Sequence, residues 1–289
     1  LVPRRPPRMP VVMWGLYGAA NVLRELPRLT EIGFTHCLGF GADYGRVFEA
    51  GCPVAPDTPE RVAEVKRMLD TALAHHVGII ATLSPGHWAA GAKAEFRRVD
   101  RSGARNDKKP ALCAAFPEMQ TLAFHVGASV AQAYSAFPAW QAALLHTEVR
   151  DGANVCWHAH DREAYRRATG AEYPQDAPGK GGVDYMKLAD FPHNRVIPDD
   201  HPLLRFLTWY WKEGDGWNRM NAELHRGLKS VGRDGIWTFH DPAVRVASVY
   251  GSGGSADVLS QWTYSYPDPI RIGVATDELF AMARGAAQP

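Results

Sequence analysis

Residues 11–41 decide the fold, and they read VVMWGLYGAANVLRELPRLTEIGFTHCLGFG. Residues 11–17 and 35–41 are short apolar runs without clean polar alternation, a pattern typical of parallel strands covered on both faces. Between them, apolar residues recur at a helical spacing from Val22 to Ile32, and Gly33 follows as a stop. The stretch therefore predicts a strand, a helix and a second strand, the repeating unit of a parallel sheet.

The same alternation continues along the chain. Thr58 can cap a helix whose first residue is Pro59. Strands are predicted at 79–84, 142–148, 235–239 and 257–262, and helices at 58–77, 121–134, 162–169, 203–231 and 276–283. Residues 93–109 are polar and basic and predict a loop, and the Gly-, Pro- and Asp-rich residues 173–200 predict a long active-site or packing loop.

The predicted architecture is an α/β fold, a (β/α)8 barrel of the TIM type, since polar and aromatic residues follow the strands where such barrels carry their active sites. A doubly wound open sheet is the alternative, but no strand runs into a glycine-rich phosphate loop, which also argues against an organic cofactor. Six strands are recognisable, so the barrel is expected to be incomplete at the C-terminus of this chain. Residues 1–10 are read as a basic, proline-rich leader or linker and residues 11–289 as the barrel domain.

The composition and net charge of the chain limit the kinds of molecule that it is expected to bind. The 289 residues are 46% hydrophobic and 22% charged, as in soluble globular chains. Lys and Arg number 32 against 31 Asp and Glu, a formal charge of +1, which argues against nucleic acid or a membrane surface as partner. The four cysteines are too few for a disulfide scaffold, and no targeting segment is visible, so localisation stays open.

Glu148 is the first candidate for catalysis. It comes where a buried apolar strand is predicted to end, so its carboxyl would reach the mouth of the barrel partly desolvated. Desolvation raises the pKa of a carboxyl group and suits it to act as a general acid. The alternative is an ordinary carboxylate in an ion pair with Arg150.

A second candidate site is a metal centre. Cys156, His158, His160 and Asp161 lie within six residues and can donate two or three metal ligands, and the distant Cys113 can complete a tetrahedral site. The alternative is a core thiol beside surface histidines.

A third group is suited to carbohydrate, because sugar faces stack on aromatic rings while hydroxyl groups bind polar neighbours. The residues predicted to line this substrate site are Tyr17, His87, Trp88, Thr147, His240, Trp262 and Tyr264.

Together these segments resemble the family 42 glycoside hydrolases, which are β-galactosidase-like enzymes. Thr147-Glu148-Val149, followed by 156–161 and a helix ending at Gly170, is similar to the segment after strand four of that family. Residues 113–118 resemble its Cys followed by Pro-Glu, and residues 256–260, 266–269 and 276–279 resemble its strand-six region and the next helix. The resemblance runs in order over residues 11–289.

The resemblance implies a retaining glycosidase in which Glu148 is the acid/base and Cys113 the fourth ligand of a structural zinc ion. Thr147 stands where the family has an Asn that binds the sugar, and the cluster reads Cys156, His158, Asp161 where the family has three cysteines. His160 is the substitute ligand if Asp161 is not one. The family's nucleophile, a Glu at the end of strand seven, is expected to be absent from this chain, through truncation, supply by a partner chain or loss of activity.

The sequence thus predicts a retaining, β-galactosidase-like O-glycosidase, with a companion chain, a C-terminal continuation or a homo-oligomer covering the open edges. One alternative is a carbohydrate-binding barrel that lacks the nucleophile and does not catalyse. A second is a metal-dependent barrel hydrolase with ligands among His36, His87, His146, His158 and His240.

Overall fold

The computed structural model of the protein describes residues 10–108, 110–147, 154–174, 193–194, 196, 198–232, 235–240, 255–260 and 268–284. Its strands are β1 (Val12–Met13), β2 (His36–Phe40), β3 (Gly78–Leu83), β4 (Trp140–Leu145), β5 (Trp237–His240) and β6 (Val258–Leu259). Its helices are α1 (Ala19–Ile32), α2 (Tyr44–Ala50), α3 (Pro59–Ala74), α4 (Pro85–Ala92), α5 (Pro117–Tyr134), α6 (Ala159–Thr169), α7 (Pro202–Trp209), α8 (Trp217–Lys229) and α9 (Pro269–Arg284). None of these helices is long and apolar enough to cross a bilayer.

The six strands form one sheet in the order β1-β2-β3-β4-β5-β6, and every neighbouring pair is parallel. Sequential parallel strands with helical crossovers are the arrangement of a (β/α) barrel, and these six make a half-barrel. The prediction of an α/β fold with a parallel sheet is confirmed. Carboxyl ends of all six strands lie along one edge, where the candidate catalytic face is expected.

The sheet is covered on both faces, as the apolar runs predict. On β3, Ile79, Ala81 and Leu83 pack in the large core between the sheet and its helices, whereas Ile80 belongs to a smaller set on the inner face. Close helix packing completes the large core: a Cβ atom on Gly127 of α5 or Gly227 of α8 would overlap the backbone of the facing helix.

A separate cluster of buried residues is formed by α6, α7 and the segments that flank them, and we call it the aromatic cluster. Its members are Val155, Tyr165, Tyr173, Leu203, Phe206, Leu207, Tyr210 and Trp211, with Trp157 and Trp209 packed against them. Within it, Tyr210–Gly214 form a π-helical segment between α7 and α8. The four cysteines are all free thiols, of which Cys52, just after α2, is exposed and the other three are buried.

Several predicted boundaries are wrong. The strand predicted to run to Glu148 ends at Leu145, because His146 takes a positive φ of 44° that leaves the strand conformation. The single helix predicted at 203–231 is interrupted by the π-helical segment and by Gly216, whose φ is 77°. The strand predicted at 79–84 is followed at once by α4, which begins at Pro85.

Other helices start earlier than predicted. Helix α5 begins at Pro117 and α9 at Pro269, since a proline at the first position needs no backbone N–H partner. Helix α2, which the sequence did not indicate, is capped by the Asp43 carboxylate, which accepts from the Arg46 N–H. Strand β6 is confirmed only as Val258–Leu259, and most of the loop predicted at 173–200 lies outside the described residues.

Candidate active site and metal centre

The carboxyl edge of the sheet carries two buried histidines. His146 follows β4 and is fully buried, and His240 ends β5 with 1% of its surface exposed. The Nδ1 atom of His240 lies 2.9 Å from the carbonyl oxygen of Leu145. Both strand ends are therefore fixed by side-chain hydrogen bonds at the edge where barrel enzymes place their chemistry.

The catalytic candidate Glu148 lies outside the described residues, as do the predicted substrate residues Trp262 and Tyr264. The last described residue before Glu148 is Thr147, which is half-buried. Strand β4 ends three residues before Glu148. Its role therefore stays a prediction.

The remaining predicted substrate residues do not share one environment. Tyr17 is 55% exposed, and His87 is exposed on α4. Trp88 packs on the large core, with its ring 5.6 Å from that of Phe48. An aromatic pair that the sequence list omitted lies on the inner face of the half-barrel, where the rings of Trp14 and Phe239 are 6.4 Å apart.

The candidate metal centre is assembled from two loops and the start of α6. Cys113 precedes α5, Cys156 and His158 precede α6, and His160 and Asp161 lie in its first turn. Ligand atoms of Cys113, His158, His160 and Asp161 all lie within 4.8 Å of one another, and no other such group of three or more occurs among the described residues. The structure thus brings together residues that are 48 positions apart in the chain.

Three of the separations equal the edges of a zinc tetrahedron, and a further one, between Cys156 and His158, is shorter. Zinc bonds of about 2.0–2.3 Å to nitrogen, oxygen and sulfur place neighbouring ligand atoms roughly 3.3–3.8 Å apart. Cys113 Sγ lies 3.5 Å from His160 Nε2 and 3.7 Å from both carboxylate oxygens of Asp161. On the other side, His158 Nδ1 lies 3.0 Å from Cys156 Sγ and 3.7 Å from Asp161 Oδ2.

This set has five donors, one more than zinc usually takes in a structural site. Cys113, His158 and Asp161 are common to both four-ligand choices, which differ in whether Cys156 or His160 is the fourth. Cys156 is 1% exposed, whereas the side chain of His160 is 40% exposed. The two rings of His158 and His160 stack 4.9 Å apart. The donors present fit zinc chemically and geometrically.

The electrostatics of the cluster also suit a cation. Burial opposes ionisation of Cys156, but hydrogen bonds with Cys113 and His158 outweigh it and lower the pKa of that thiol to about 6. Burial likewise opposes ionisation of Asp161, yet hydrogen bonds from His158 and His160 lower its pKa to about 2. The hydrogen bond with Asp161, and then that with Cys156, raises the pKa of His158 to about 9. A divalent cation would take the place of that proton.

The five histidines of the alternative metal-dependent hydrolase do not form a ligand group. His36 lies at the start of β2, at the opposite end of the sheet from His146 and His240. Its ring bonds instead to Thr35 and Gln141.

The buried side chain of Arg98 connects residues beside the candidate metal centre to Tyr210 and Asp215. Arg98 is 7% exposed, and its Nε donates to the carbonyl of Leu112 at 2.8 Å, next to Cys113. Its Nη1 donates to the hydroxyl of Tyr210 at 3.0 Å, and Nη2 lies 3.9 Å from Asp215 Oδ2. The Tyr210 hydroxyl in turn accepts from the N–H of Cys156 at 2.8 Å. No local pattern of residues signals this long-range network.

A cleft of about 600 Å³ opens beside the candidate metal centre, at the amino ends of α5 and α6. His160 and Asp161 form part of its wall, together with Phe116, Trp209 and Arg219. The volume is in the range of small-molecule sites. One side of the cluster can therefore be reached by a small solute.

Comparison with known proteins places the fold. Among solved structures, a β-galactosidase from Rahnella sp. R3 matches with a TM-score of 0.53 and 14% identity, over 91% of this chain and 41% of that one. The tandem GH20 catalytic modules of a pneumococcal exo-β-D-N-acetylglucosaminidase match with a TM-score of 0.44 and 13% identity, over 92% and 63%. A β-glucosidase from Thermotoga maritima matches with a TM-score of 0.40 and 10% identity, over 78% and 38%.

These structural neighbours are glycoside hydrolases with a TIM-barrel-like fold, and the first of them establishes that the chain has the fold of part of such a barrel. The chain spans about two fifths of the length of that β-galactosidase. No protein-family model and no curated protein matches the chain, so the resemblance to family 42 stays a prediction.

Proposed function

We propose that the chain is part of the catalytic barrel of a retaining O-glycosidase of the β-galactosidase type, with Glu148 as its general acid/base. The observation that carries the proposal is the position of this residue, three places after β4 ends at Leu145, in a half-barrel with the fold of part of a β-galactosidase. The carboxyl ends of barrel strands are where such enzymes hold their catalytic groups.

In this mechanism Glu148 protonates the glycosidic oxygen and later removes a proton from the attacking water. Trp14, which is half-buried and packs against Phe239 on the inner face, offers an apolar surface for a sugar ring. Residues predicted to bind hydroxyl groups are His87, Thr147 and His240.

Retention also needs a nucleophilic carboxylate about 5–5.5 Å from the acid/base. Asp257, next to β6, is unsuited because its carboxylate accepts from the Thr238 N–H at 2.9 Å and pairs with Lys229 at 3.0 Å. Glu278 lies on α9. We propose that a companion chain or a continuation of this one supplies the nucleophile to the same face.

We also propose a structural zinc ion bound by Cys113, His158 and Asp161 with Cys156 or His160 as the fourth ligand. When bound, it would cross-link the loop before α5 to the start of α6 and would supply no step of the hydrolysis. The support is the donor set and the closeness of its ligand atoms, which for Cys113, His158, His160 and Asp161 lie within 4.8 Å of one another.

The proposed activity is tested on the native enzyme, purified together with the chain or continuation that supplies the nucleophile, with a panel of alkyl and aryl glycosides and the variants Glu148→Gln and Glu118→Gln. A positioned general acid contributes roughly 10²–10⁴-fold, so Glu148→Gln is expected to lose at least a hundredfold in kcat on alkyl glycosides, whose leaving groups need a proton. Glu118, in the first turn of α5, is a matched exposed control and its variant should keep full activity. Full activity of Glu148→Gln would refute the assignment. Sugar binding without any cleavage by the unaltered protein would favour the carbohydrate-binding alternative.

A further inference from the structure

The donors of the candidate metal centre lie at different depths in the protein. Cys113, Cys156 and Asp161 are all buried. The side chain of His158 is 16% exposed, and that of His160 is 40% exposed. Five donors for an ion that usually takes four thus form a series from the interior to the surface, with Cys156 at one end and His160 at the other.

The cleft beside the centre reaches the surface end of this series. His160 and Asp161 line it, whereas the described residues on its wall include neither of the two cysteines nor His158. A cation that enters through the cleft therefore meets His160 and Asp161 first. Their Nε2 and Oδ1 atoms lie 3.2 Å apart, and imidazole and carboxylate are both ordinary zinc ligands.

The ring of His160 is held in place although it is partly exposed. It stacks on the ring of His158, with centroids 4.9 Å apart and planes 18° apart, and the ring of Phe116 packs edge-on against it at 4.6 Å. Its Nε2 atom lies 3.5 Å from Cys113 Sγ. The ring thus borders the cleft while its nitrogen faces a buried ligand of the centre.

Cys156, at the interior end, is better suited to hold the ion permanently. Its Sγ atom lies 3.0 Å from His158 Nδ1, and its backbone N–H donates to the hydroxyl of Tyr210 at 2.8 Å. Structural zinc sites typically contain at least a pair of cysteines, and thiolate is the softer ligand. Choosing Cys156 as the fourth ligand supplies that pair together with Cys113, whereas choosing His160 leaves Cys113 as the single thiolate.

We infer that Cys156 is the resident fourth ligand of the zinc ion and that His160 is a transfer ligand, which binds the ion from the cleft and then gives it up to Cys156. The inference rests on the zinc site proposed above and not on the glycosidase activity. During entry the bond from the ion to His160 Nε2 breaks as the bond to Cys156 Sγ forms, and the proton of the thiol is released to solvent. Exit is the reverse of this exchange.

A transfer ligand has a distinctive kinetic effect. Because the same intermediate serves entry and exit, its loss slows both by the same factor and leaves the Kd unchanged. Loss of a resident ligand instead weakens the Kd and speeds release. The two roles of His160 can therefore be told apart by measuring the release rate and the Kd on the same variant.

The experiment uses the native protein, purified as for the activity test and loaded with zinc, and the variant His160→Phe, which keeps a ring against Phe116 but removes the donor atom. Release of zinc to an excess of a chromogenic chelator gives the rate, and competition with the chelator gives the Kd. His160→Phe is expected to release zinc about tenfold more slowly, which corresponds to about 1.4 kcal/mol on the barrier, with an unchanged Kd. After replacement of zinc by cobalt, its cobalt–thiolate absorption should equal that of the unaltered protein.

Two further variants complete the comparison. Cys156→Ser should weaken the Kd by about tenfold or more, since even the loss of a hydrogen-bond partner of a ligand typically costs that much, and should reduce the cobalt–thiolate absorption. His76, exposed after α3 with a φ of 56°, is the matched control because Asn tolerates this conformation. His76→Asn should leave the release rate, the Kd and the absorption unchanged.

Each other outcome overturns a defined part of the argument. A weaker Kd with faster release in His160→Phe would make His160 the resident ligand and overturn the inference. An unchanged release rate in His160→Phe, or an unchanged Kd in Cys156→Ser, would overturn it as well and leave the zinc site standing. Absence of bound zinc in the unaltered protein would remove the site itself. None of these readouts measures hydrolysis, so the glycosidase proposal is tested separately by Glu148→Gln.

Discussion

The large core and the aromatic cluster are both well buried, but they are stabilised differently. In the large core the buried polar groups are few and neutral, such as His146 with its Asn221 partner. Beside the aromatic cluster the buried polar groups are charged: Arg98, Asp161 and Asp215. The large core is stabilised mainly by the amount of apolar surface that it buries. The stability of the region beside the aromatic cluster depends on particular charged side chains and, as proposed, on a metal ion.

The largest expected effect is in the large core. Trp140 is fully buried, and its Nε1 donates to the carbonyl of Ala142 at 2.9 Å. Trp140→Ala should reduce the free energy of unfolding by about 3–5 kcal/mol, measured by urea denaturation followed by circular dichroism. Phe206→Ala, equally buried in the aromatic cluster, is the matched variant and should speed amide exchange mainly around residues 203–211. Identical exchange patterns for the two variants would contradict the division into two regions.

Metal removal should affect only the second region. With zinc at roughly 1,000 times its Kd, binding stabilises the folded state by about 4 kcal/mol, so chelation should lower Tm. Cys113→Ser should abolish this response, and Cys52→Ser, which alters an exposed thiol, should retain it. Elemental analysis that finds no metal, together with a Tm indifferent to zinc, would rule the site out.

The buried cation offers a smaller test. Arg98→Met removes the partner of Asp215, whose side chain is fully buried, and should cost about 3 kcal/mol in urea denaturation. Adding Asp215→Asn to Arg98→Met should recover part of that loss, since no unpaired charge then remains. If the double variant is as unstable as the sum of the two single variants, the two side chains do not stabilise each other.

The smallest expected effect is the pH dependence of stability that comes from His146, a neutral buried group beside the large core. Burial holds the pKa of His146 at about 3, below that of an unfolded histidine, so the unfolded chain binds more protons below pH 6.5 and stability falls as pH falls. Between pH 7.5 and 5.5 this residue should account for about 1.4 kcal/mol of lost stability. His146→Asn should show a correspondingly flatter decline over that window. An equal slope in the variant and the unaltered protein would assign the acid sensitivity elsewhere.

The same contrast explains what the sequence could predict. A strand such as the one predicted at 79–84 can be recognised from sequence because the residues of both its faces are apolar. The Thr58 cap is also a local signal, and the structure confirms it. Spacing within one segment indicates Cys156, His158 and Asp161 as ligand candidates, and the structure brings them together with Cys113.

What the sequence missed depends on distant partners. The early end of β4 follows from His146 binding Gly86 and Asn221, neither of which is near it in sequence. The break within 203–231 is similar, because a Cβ atom on Gly216 would overlap the backbone of Ala114 and Ala115. A helical periodicity cannot reveal such contacts.

The distribution of the four thiols gives the protein a chemical signature. Cys52 is the exposed thiol, and burial in β2 raises the pKa of Cys37 to about 12, so that thiol is inert to alkylating reagents at neutral pH. Burial opposes ionisation of Cys156, but hydrogen bonds with Cys113 and His158 lower its pKa to about 6. Because Cys156 is itself buried, rapid alkylation is expected at Cys52, and label on Cys156 would mark molecules in which the fold has opened around that thiol.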